Sequence, residues 1–562
     1  MRAAGKGWYE TTANCGAGTR YRYRIDGDID VPDPASRFQP EDVAGPSEVI
    51  DPGRHVWSHP DWRGRPWPQT VLYELHVGAM GGYAGVASRL KTLAELGVTT
   101  IELMPLNDFV GKRNWGYDGV LPFAPDSSYG RPEELKALID AAHGLGLSVM
   151  LDVVYNHFGP EGNFLARYAA PFFRDAHTPW GQAIDFDRPE VSRFFTENAL
   201  YWLNEYRFDG LRFDAVHAIA NDRWLEQLAA QIRSGVEPGR HVHLVLENER
   251  NRAGLLEGQF DAQWNDDAHN VLHVLLTDEG EGYYAAYRDN AIERLVRVLA
   301  EGFAYQGEPS PIHDGEPRGE PSGHLPPTAF VAFLQNHDQV GNRAFGERLC
   351  ALCDRDALRA ATALLLLCPQ VPLLFMDEEY GSDRPFLFFT DYHDALAEAV
   401  REGRRNEFAK FAAFADAGRR AAIPDPNAPQ TFEASSSLPP ERIAEERSRD
   451  GFRFYQSALA VRNRLIAPRL HGAQALGAHV LTDEDGFDTR ALLARWQLAD
   501  GETLAIALNL AKKKVPFDAP TSAPPIFETP RGAHYIANEG YLPPQSCITW
   551  LGRDEGAGTP RQ

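Results

Sequence analysis

The chain has 562 residues, 43% of them hydrophobic and 24% charged, and its 56 basic and 79 acidic side chains give a net charge of −23. That much apolar material excludes a disordered chain, and the negative charge argues against nucleic acid or anionic membrane as a partner. No signal-type segment opens the sequence, and the longest apolar run, Ala361 to Cys368, is far too short to cross a bilayer, so a cytoplasmic protein is expected.

Residues 1–55 read as β: Thr19 to Ile25 alternates ring or aliphatic residues with arginine, and Asp26-Gly27-Asp28 marks a turn. Two or three strands are too few for an independent sandwich. Five prolines between Pro32 and Pro52 indicate an extended connector. From Val71 short β-type runs alternate with helical ones. The predicted strands are Val71–Val77, Thr99–Met104, Ser148–Tyr155, Gly210–Val216, His243–Glu247, Phe260–Trp264, Ala329–Gln335 and Val371–Met376, with helices such as Val86–Leu96, Pro132–Leu145 and Pro189–Tyr206 between them. Eight such strands fit an α/β fold, a (β/α)8 TIM barrel with long insertions. A doubly wound sheet is the alternative, but no G-x-G-x-x-G follows the first strand.

A helix from Gly451 to Ile466 closes this region. Short β runs at Val480-Leu481, Ala491–Trp496, Thr503–Leu508 and Ser546–Leu551 then form a small C-terminal β-domain. The expected division is 1–55, 56–468 for the barrel, and 469–562. The five cysteines are scattered, which suits a reducing compartment, and Cys350-Ala-Leu-Cys353 lies in a helical, Leu/Ala-rich stretch where packing explains it better than zinc.

Charged residues recur where strands end. The third strand runs into Asp152-Val-Val-Tyr-Asn156-His157, and the fourth reads Gly210-Leu-Arg212-Phe-Asp214-Ala-Val-His217. The fifth ends Leu246-Glu247-Asn-Glu249, and the seventh ends Gln335-Asn-His337-Asp338-Gln339. In a barrel all these ends open on one face, which carries the active site. Residues i and i+2 of a strand share a side, so Arg212 can hold Asp214 ionised. An ionised carboxylate beside a protonated carboxyl is the equipment of a retaining glycosidase. A buried ion-pair cluster that only braces the barrel is the competing explanation.

These blocks, in this order, resemble the signature regions of the α-amylase superfamily of retaining glycosidases over Val71 to Ile466. The resemblance implies Asp214 as nucleophile, Glu247 as acid/base and Asp338 as a third carboxylate supporting the transition state. His157 and His337 would hydrogen-bond the sugar in the subsite that is cleaved, and Arg212 and His217 would line it. Glu249 is a rival to Glu247. Against the family's full N-terminal β-sandwich, residues 1–55 read as a partial one with a truncated start.

The finer resemblance is to the maltooligosyltrehalose trehalohydrolase family. It is carried by Glu102-Leu-Met-Pro-Leu-Asn107, Trp115-Gly-Tyr-Asp-Gly-Val120, Thr178-Pro-Trp-Gly181, Asp214-Ala-Val-His217, Asp261 to Asn270 and Leu334 to Arg343. It implies hydrolysis of the α-1,4 bond next to a terminal trehalose in maltooligosyl trehalose, in partnership with a maltooligosyl trehalose synthase; no cofactor is expected, and, although many amylases bind calcium, no metal is expected because no ligand-dense loop of the kind calcium needs is visible. Tyr117 is then a stacking platform or a core ring, and Asp118 a sugar contact or an arginine's partner. Asp266, Asp267, His269 and Asn270 after the sixth strand, with Gln339 and Asn342 after the seventh, are expected to face the leaving sugar pair, though residues in the first group could equally cap a helix.

Overall fold

The computed structural model describes residues 1–5, 8–178, 181–219 and 221–553; Pro179 and Trp180, quoted above, lie outside them. Eight parallel strands close into a barrel: β1 (Leu72–Leu75), β2 (Thr100–Leu103), β3 (Ser148–Val153), β4 (Gly210–Phe213), β5 (His243–Leu246), β6 (Ala262–Trp264), β7 (Phe330–Phe333) and β8 (Val371–Phe375). Each pairs with its neighbours in sequence, and β8 returns to β1. Every predicted strand is present. The strands are buried on both faces, as a parallel sheet wrapped in helices must be.

Period-2 alternation divides the barrel interior by height. Leu72, Met150, Val245, Ala262, Val331, Val371 and Leu373 fill an apolar floor. Trp67 belongs to the same cluster and donates its indole N–H to the Thr328 carbonyl at 2.7 Å. Two residues further along the same strands, Leu72 gives way to Glu74 and Met150 to Asp152. Asp152 stands in register with Arg212, and Glu74 with Glu102. Charge is therefore confined to the end of the barrel where the strands finish.

The wrapping helices follow their sequence signals. In α1 (Gly82–Leu96) the buried residues Tyr83, Val86, Leu90 and Leu93 recur at helical spacing, and Gly97 ends it at φ +105, a conformation glycine adopts without strain. Prolines open α2 (Pro132–Gly144) and α3 (Pro189–Glu205), where a missing N–H costs nothing. After α4 (Asp222–Gly235), β6 leads directly into α5 (Asp266–Thr277), and α6 (Ala291–Glu301) follows.

Of the partial sandwich expected at the N-terminus, the described residues carry three two-stranded ribbons: Arg2–Gly5 with Trp8–Glu10, Arg20–Tyr21 with Ser47–Glu48, and Tyr23–Ile25 with Ile29–Val31. The predicted Thr19–Ile25 strand is split at Arg22, whose guanidinium reaches the Ala44 carbonyl. Proline's missing N–H limits any longer ladder in the segment that follows.

At the other end β9 (Gln474–Thr482), β10 (Asp488–Gln497), β11 (Thr503–Asn509), β12 (Phe527–Thr529) and β13 (Ser546–Gly552) form an antiparallel sheet in the order β9-β10-β11-β13-β12. It is tied to the barrel's helices by the Trp496 indole, which donates to Leu299 of α6 at 3.1 Å. Among the described residues no helix is long and apolar enough to cross a membrane, and all five cysteines are free thiols.

Candidate active site

Arg212, only 1% exposed, organises the charged end of the barrel. One guanidinium nitrogen meets Asp152 at 2.5 Å and Asp214 at 2.8 Å, and the other meets Glu247 at 2.7 Å. Its carbon lies 4.1 Å from the centre of the Trp264 ring. Asp214 and Glu247 stand one residue past the ends of β4 and β5. Ala215 between them adopts φ +39, an uncommon conformation for a residue with a Cβ, and this aims its N–H at Glu247 at 2.8 Å.

Asp214 and Glu247 lie against the same guanidinium, 2.8 and 2.7 Å from its two nitrogens, close enough for each carboxyl to feel the charge of the other. Burial and the adjacent Glu247 charge raise the Asp214 carboxyl well above the ordinary range, against the pull of Arg212. Burial also opposes charge on Glu247, but Arg212, the Ala215 N–H and His217 outweigh it and lower its pKa. The guanidinium that the sequence assigns to Asp214 also grips Glu247 and Asp152, and Glu247 has the Ala215 N–H as a further donor.

Asp338 comes from the short helix His337–Gly341 after β7, whose first turn is capped by the Asn336 side chain accepting from Gln339 N at 2.9 Å. Burial raises the Asp338 carboxyl; His337 opposes the rise and Glu247 adds to it. Asn342, exposed to solvent, donates to it at 2.5 Å. His337 is pinned by Glu74 of β1, with Nδ1 2.5 Å and the backbone N 2.9 Å from its two carboxylate oxygens. Burial alone would lower the His337 pKa, but the Glu74 charge raises it.

Tyr117 stacks on His337 with ring centres 5.0 Å apart and donates to Asp152 at 2.6 Å, so this half-buried ring belongs to the wall of the site. Gly116 makes that placement possible: at φ +102, a Cβ there would lie 2.2 Å from the Pro105 carbonyl. Asp118 accepts from Asn114 at 2.7 Å rather than from an arginine. Buried His157 lies close enough for the Asp118 charge to oppose the lowering of its pKa by burial. Glu249 stands at the rim with its side chain 44% exposed, 3.6 Å from His217. Because β5 has already ended at Leu246, strand alternation does not carry it inward beside Glu247. Asp266 opens α5 within the charge field of Glu247 and Asp338, which with burial raises its pKa, and Gln339 reaches it at 3.5 Å.

Two expected sugar contacts are placed elsewhere. Asp267 is fully buried, and its carboxylate accepts from Asn251 Nδ2 (2.9 Å), the Tyr287 hydroxyl (2.5 Å), and the backbone N–H groups of Ala304 (2.8 Å) and Tyr305 (3.2 Å), with Arg318 at 3.0 Å. His269, 1% exposed, bonds the Leu334 carbonyl at 2.6 Å and the Tyr284 hydroxyl at 3.3 Å. A helix rotates by about 100° per residue, which turns Asp267 away from the face Asp266 opens on; His269, three residues on, stays near that face but is closed over by its bonds to Leu334 and Tyr284. Asn270, one turn beyond Asp266, is 8% exposed. Among the described residues no three His, Cys, Asp or Glu side chains gather as metal ligands would.

Residues 58–177 match the α-amylase catalytic domain, and 484–549 match a domain of unknown function, DUF3459. The chain is 42% identical over 540 residues to the malto-oligosyltrehalose trehalohydrolase of Deinococcus radiodurans, covering 92% of this chain and 86% of that one. It is also 42% identical over 421 residues to the enzyme of that name from Saccharolobus solfataricus, covering 72% and 74%. The chain belongs to the malto-oligosyltrehalose trehalohydrolase family. A crystal structure titled as a putative α-amylase from Salmonella typhimurium superposes with a TM-score of 0.91 at 44% identity, covering 98% of this chain and 94% of that one. A Paenibacillus barengoltzii pullulanase at 18% identity, with a TM-score of 0.67, shares the fold.

In this trehalohydrolase-family chain the sequence reasoning passed over Glu74 and the Asn251–Tyr287–Arg318 cradle. Glu74 carried a usable signal: it is an acid flanked by apolar residues in a barrel strand, at the alternation that faces inward. The cradle carried none, since its members come from three segments far apart in the chain.

Proposed function

We propose that the chain is a retaining glycosidase that cuts the α-1,4 bond next to the terminal trehalose of maltooligosyl trehalose and releases trehalose. The observation that carries the chemistry is the Asp214–Glu247 pair, two carboxyls held by one guanidinium at 2.8 and 2.7 Å. An inverting mechanism needs room between its carboxyls for a water, whereas a retaining one brings them to about 5–5.5 Å. The family relatives, named for trehalose release, support the substrate.

In this reading Glu247 carries a proton when substrate is bound. Glu247 gives it to the glycosidic oxygen while the Asp214 carboxylate attacks the anomeric carbon, and the C–O bond to the trehalose unit breaks. Water then attacks the glycosyl ester, Glu247 takes its proton, and Asp214 leaves as carboxylate. Asp338, with His337, steadies the ring hydroxyls as positive charge develops. Asp266, Gln339 and Asn342 face the leaving pair, and Tyr117 and His157 wall the sugar that is attacked. The substrate implies a synthase that converts the reducing end of a maltooligosaccharide to a trehalose unit, and free thiols suit a cytoplasmic setting. The test is product analysis on maltotriosyl trehalose beside maltopentaose. Trehalose plus maltotriose from the first, with a much lower kcat/KM on the second, is expected; equal kcat/KM on both would leave only a general α-1,4-glucan hydrolase.

A further inference from the structure

Arg404 has no part in the chemistry above, yet it is a cation buried against the segment that carries Asp338. It lies in the last turn of α7 (Asp394–Glu407), which follows β8, and its side chain is 8% exposed. One guanidinium nitrogen donates to the Gly341 carbonyl at 2.7 Å and to the Arg343 carbonyl at 3.1 Å; another donates to Glu407 at 3.0 Å. The centres of the Phe388 and Phe408 rings lie 5.6 and 4.8 Å from its carbon.

The two carbonyls belong to the end of the short helix His337–Gly341 and to the residues just after it. A helix of little more than one turn makes too few internal bonds to hold its own shape, so its ends must be held from outside. The Asn336 side chain holds the first end. At the other end Arg404 takes the carbonyl of Gly341, as basic side chains do at helix C-termini. Trp115 packs so tightly on Gly341 that a Cβ there would lie 2.1 Å from its ring. Arg343 is tied in turn to Glu279, just after α5, at 2.7 and 3.0 Å. Between Gly341 and Arg343 stands Asn342, whose side chain donates to Asp338 at 2.5 Å.

Burying a guanidinium between two phenylalanines is costly, and for stability alone an apolar side chain of similar length would serve as well. What an apolar chain cannot do is fix two carbonyls in one place. We propose that Arg404 is a positioning residue for Asp338: by gripping the backbone on both sides of Asn342, it sets where the Asp338 carboxylate stands in the cleft. The segment after β8 thereby governs an acid supplied by the segment after β7. This rests on the reading of Asp338 as the carboxylate that supports the transition state. Displacing such a group by roughly 1 Å can cost about a hundredfold in rate.

The test is steady-state kinetics on maltotriosyl trehalose, with melting temperatures, for the wild type, Arg404→Met, Arg404→Lys, Asp338→Asn and the two double variants. Arg404→Met is expected to lower kcat by about tenfold to a hundredfold while KM changes by less than about twofold. Arg404→Lys, whose ammonium can still reach one carbonyl, keeps more of kcat. In the Asp338→Asn background neither Arg404 substitution lowers kcat further by more than about twofold, because the group it would displace is already gone. The same loss in both backgrounds would overturn the assignment. So would wild-type kcat in Arg404→Met, or in Arg404→Lys should the first variant not fold, whatever happens to the melting temperature. If Asp338→Asn by itself keeps wild-type kcat, the underlying reading of Asp338 has failed, whereas a large loss there with an additive Arg404 effect removes the positioning role alone.

Discussion

Replacing Asp267 by alanine tests whether this carboxylate recognises substrate or holds the site together. It sits at the start of α5 beside Asp266, where position along the chain favours a sugar contact, but it has no exposed surface and four hydrogen-bond donors converge on it. Its charge is matched by Arg318, itself 3% exposed in its side chain. Asp267→Ala would leave that guanidinium buried without its counter-ion, a change that costs about 3–5 kcal/mol. It would also strip partners from two backbone N–H groups and two side chains, each worth about 1–3 kcal/mol if left dry, although these losses overlap and do not add. Against a typical net stability of about 5–15 kcal/mol, a loss of at least 4 kcal/mol removes a large share. Urea unfolding followed by tryptophan fluorescence should show a clear fall in midpoint. The fraction that remains folded should keep the wild-type ratio of kcat/KM between maltotriosyl trehalose and maltopentaose. An unchanged midpoint with a collapsed ratio would refute the reasoning and return Asp267 to the substrate.

The remaining expectations concern the reacting acids and the pH dependence of stability. Asp214→Asn and Glu247→Gln should each reduce kcat by about 10²–10⁴-fold or more with an unchanged circular dichroism spectrum, while Glu249→Gln keeps most activity; the reverse pattern for the two glutamates would move the acid/base role to the rim. In the turn after β8, burial raises Glu378 to about 7 and Glu379 to about 8, from an ordinary 4.5. With folded-state values above unfolded ones, the folded chain holds the extra protons. The stability these groups contribute is therefore fully present below about pH 4.5 and lost as pH rises through 7 and 8, by roughly 3–5 kcal/mol for each at most. Glu379→Gln should flatten the decline of melting temperature between pH 6 and 9, and a decline as steep as that of the wild type would contradict the buried-acid account.

The strand pattern alone determined the barrel and the addresses of its acids, because both depend on short-range rules. Alternation within a strand puts Arg212 and Asp214 on one side, and parallel strands separated by helices must all end on one face. Glycine and proline likewise marked where α1 stops and α2 and α3 begin. What the tertiary structure decided involves partners far apart in the chain. Glu74 lies 263 residues before the His337 it holds, a separation over which local periodicity carries no information. Asp266 and Asp267 are adjacent and chemically identical, yet a helical rotation sends one toward the cleft and the other into a sealed cradle. Burial raises the Asp214 carboxyl, whereas Arg212 and the Ala215 N–H, aimed by a single unusual backbone angle, lower that of Glu247. Local spacing names the carboxyls, but a pKa is set by everything within a few ångströms, and only the closed barrel brings those groups together.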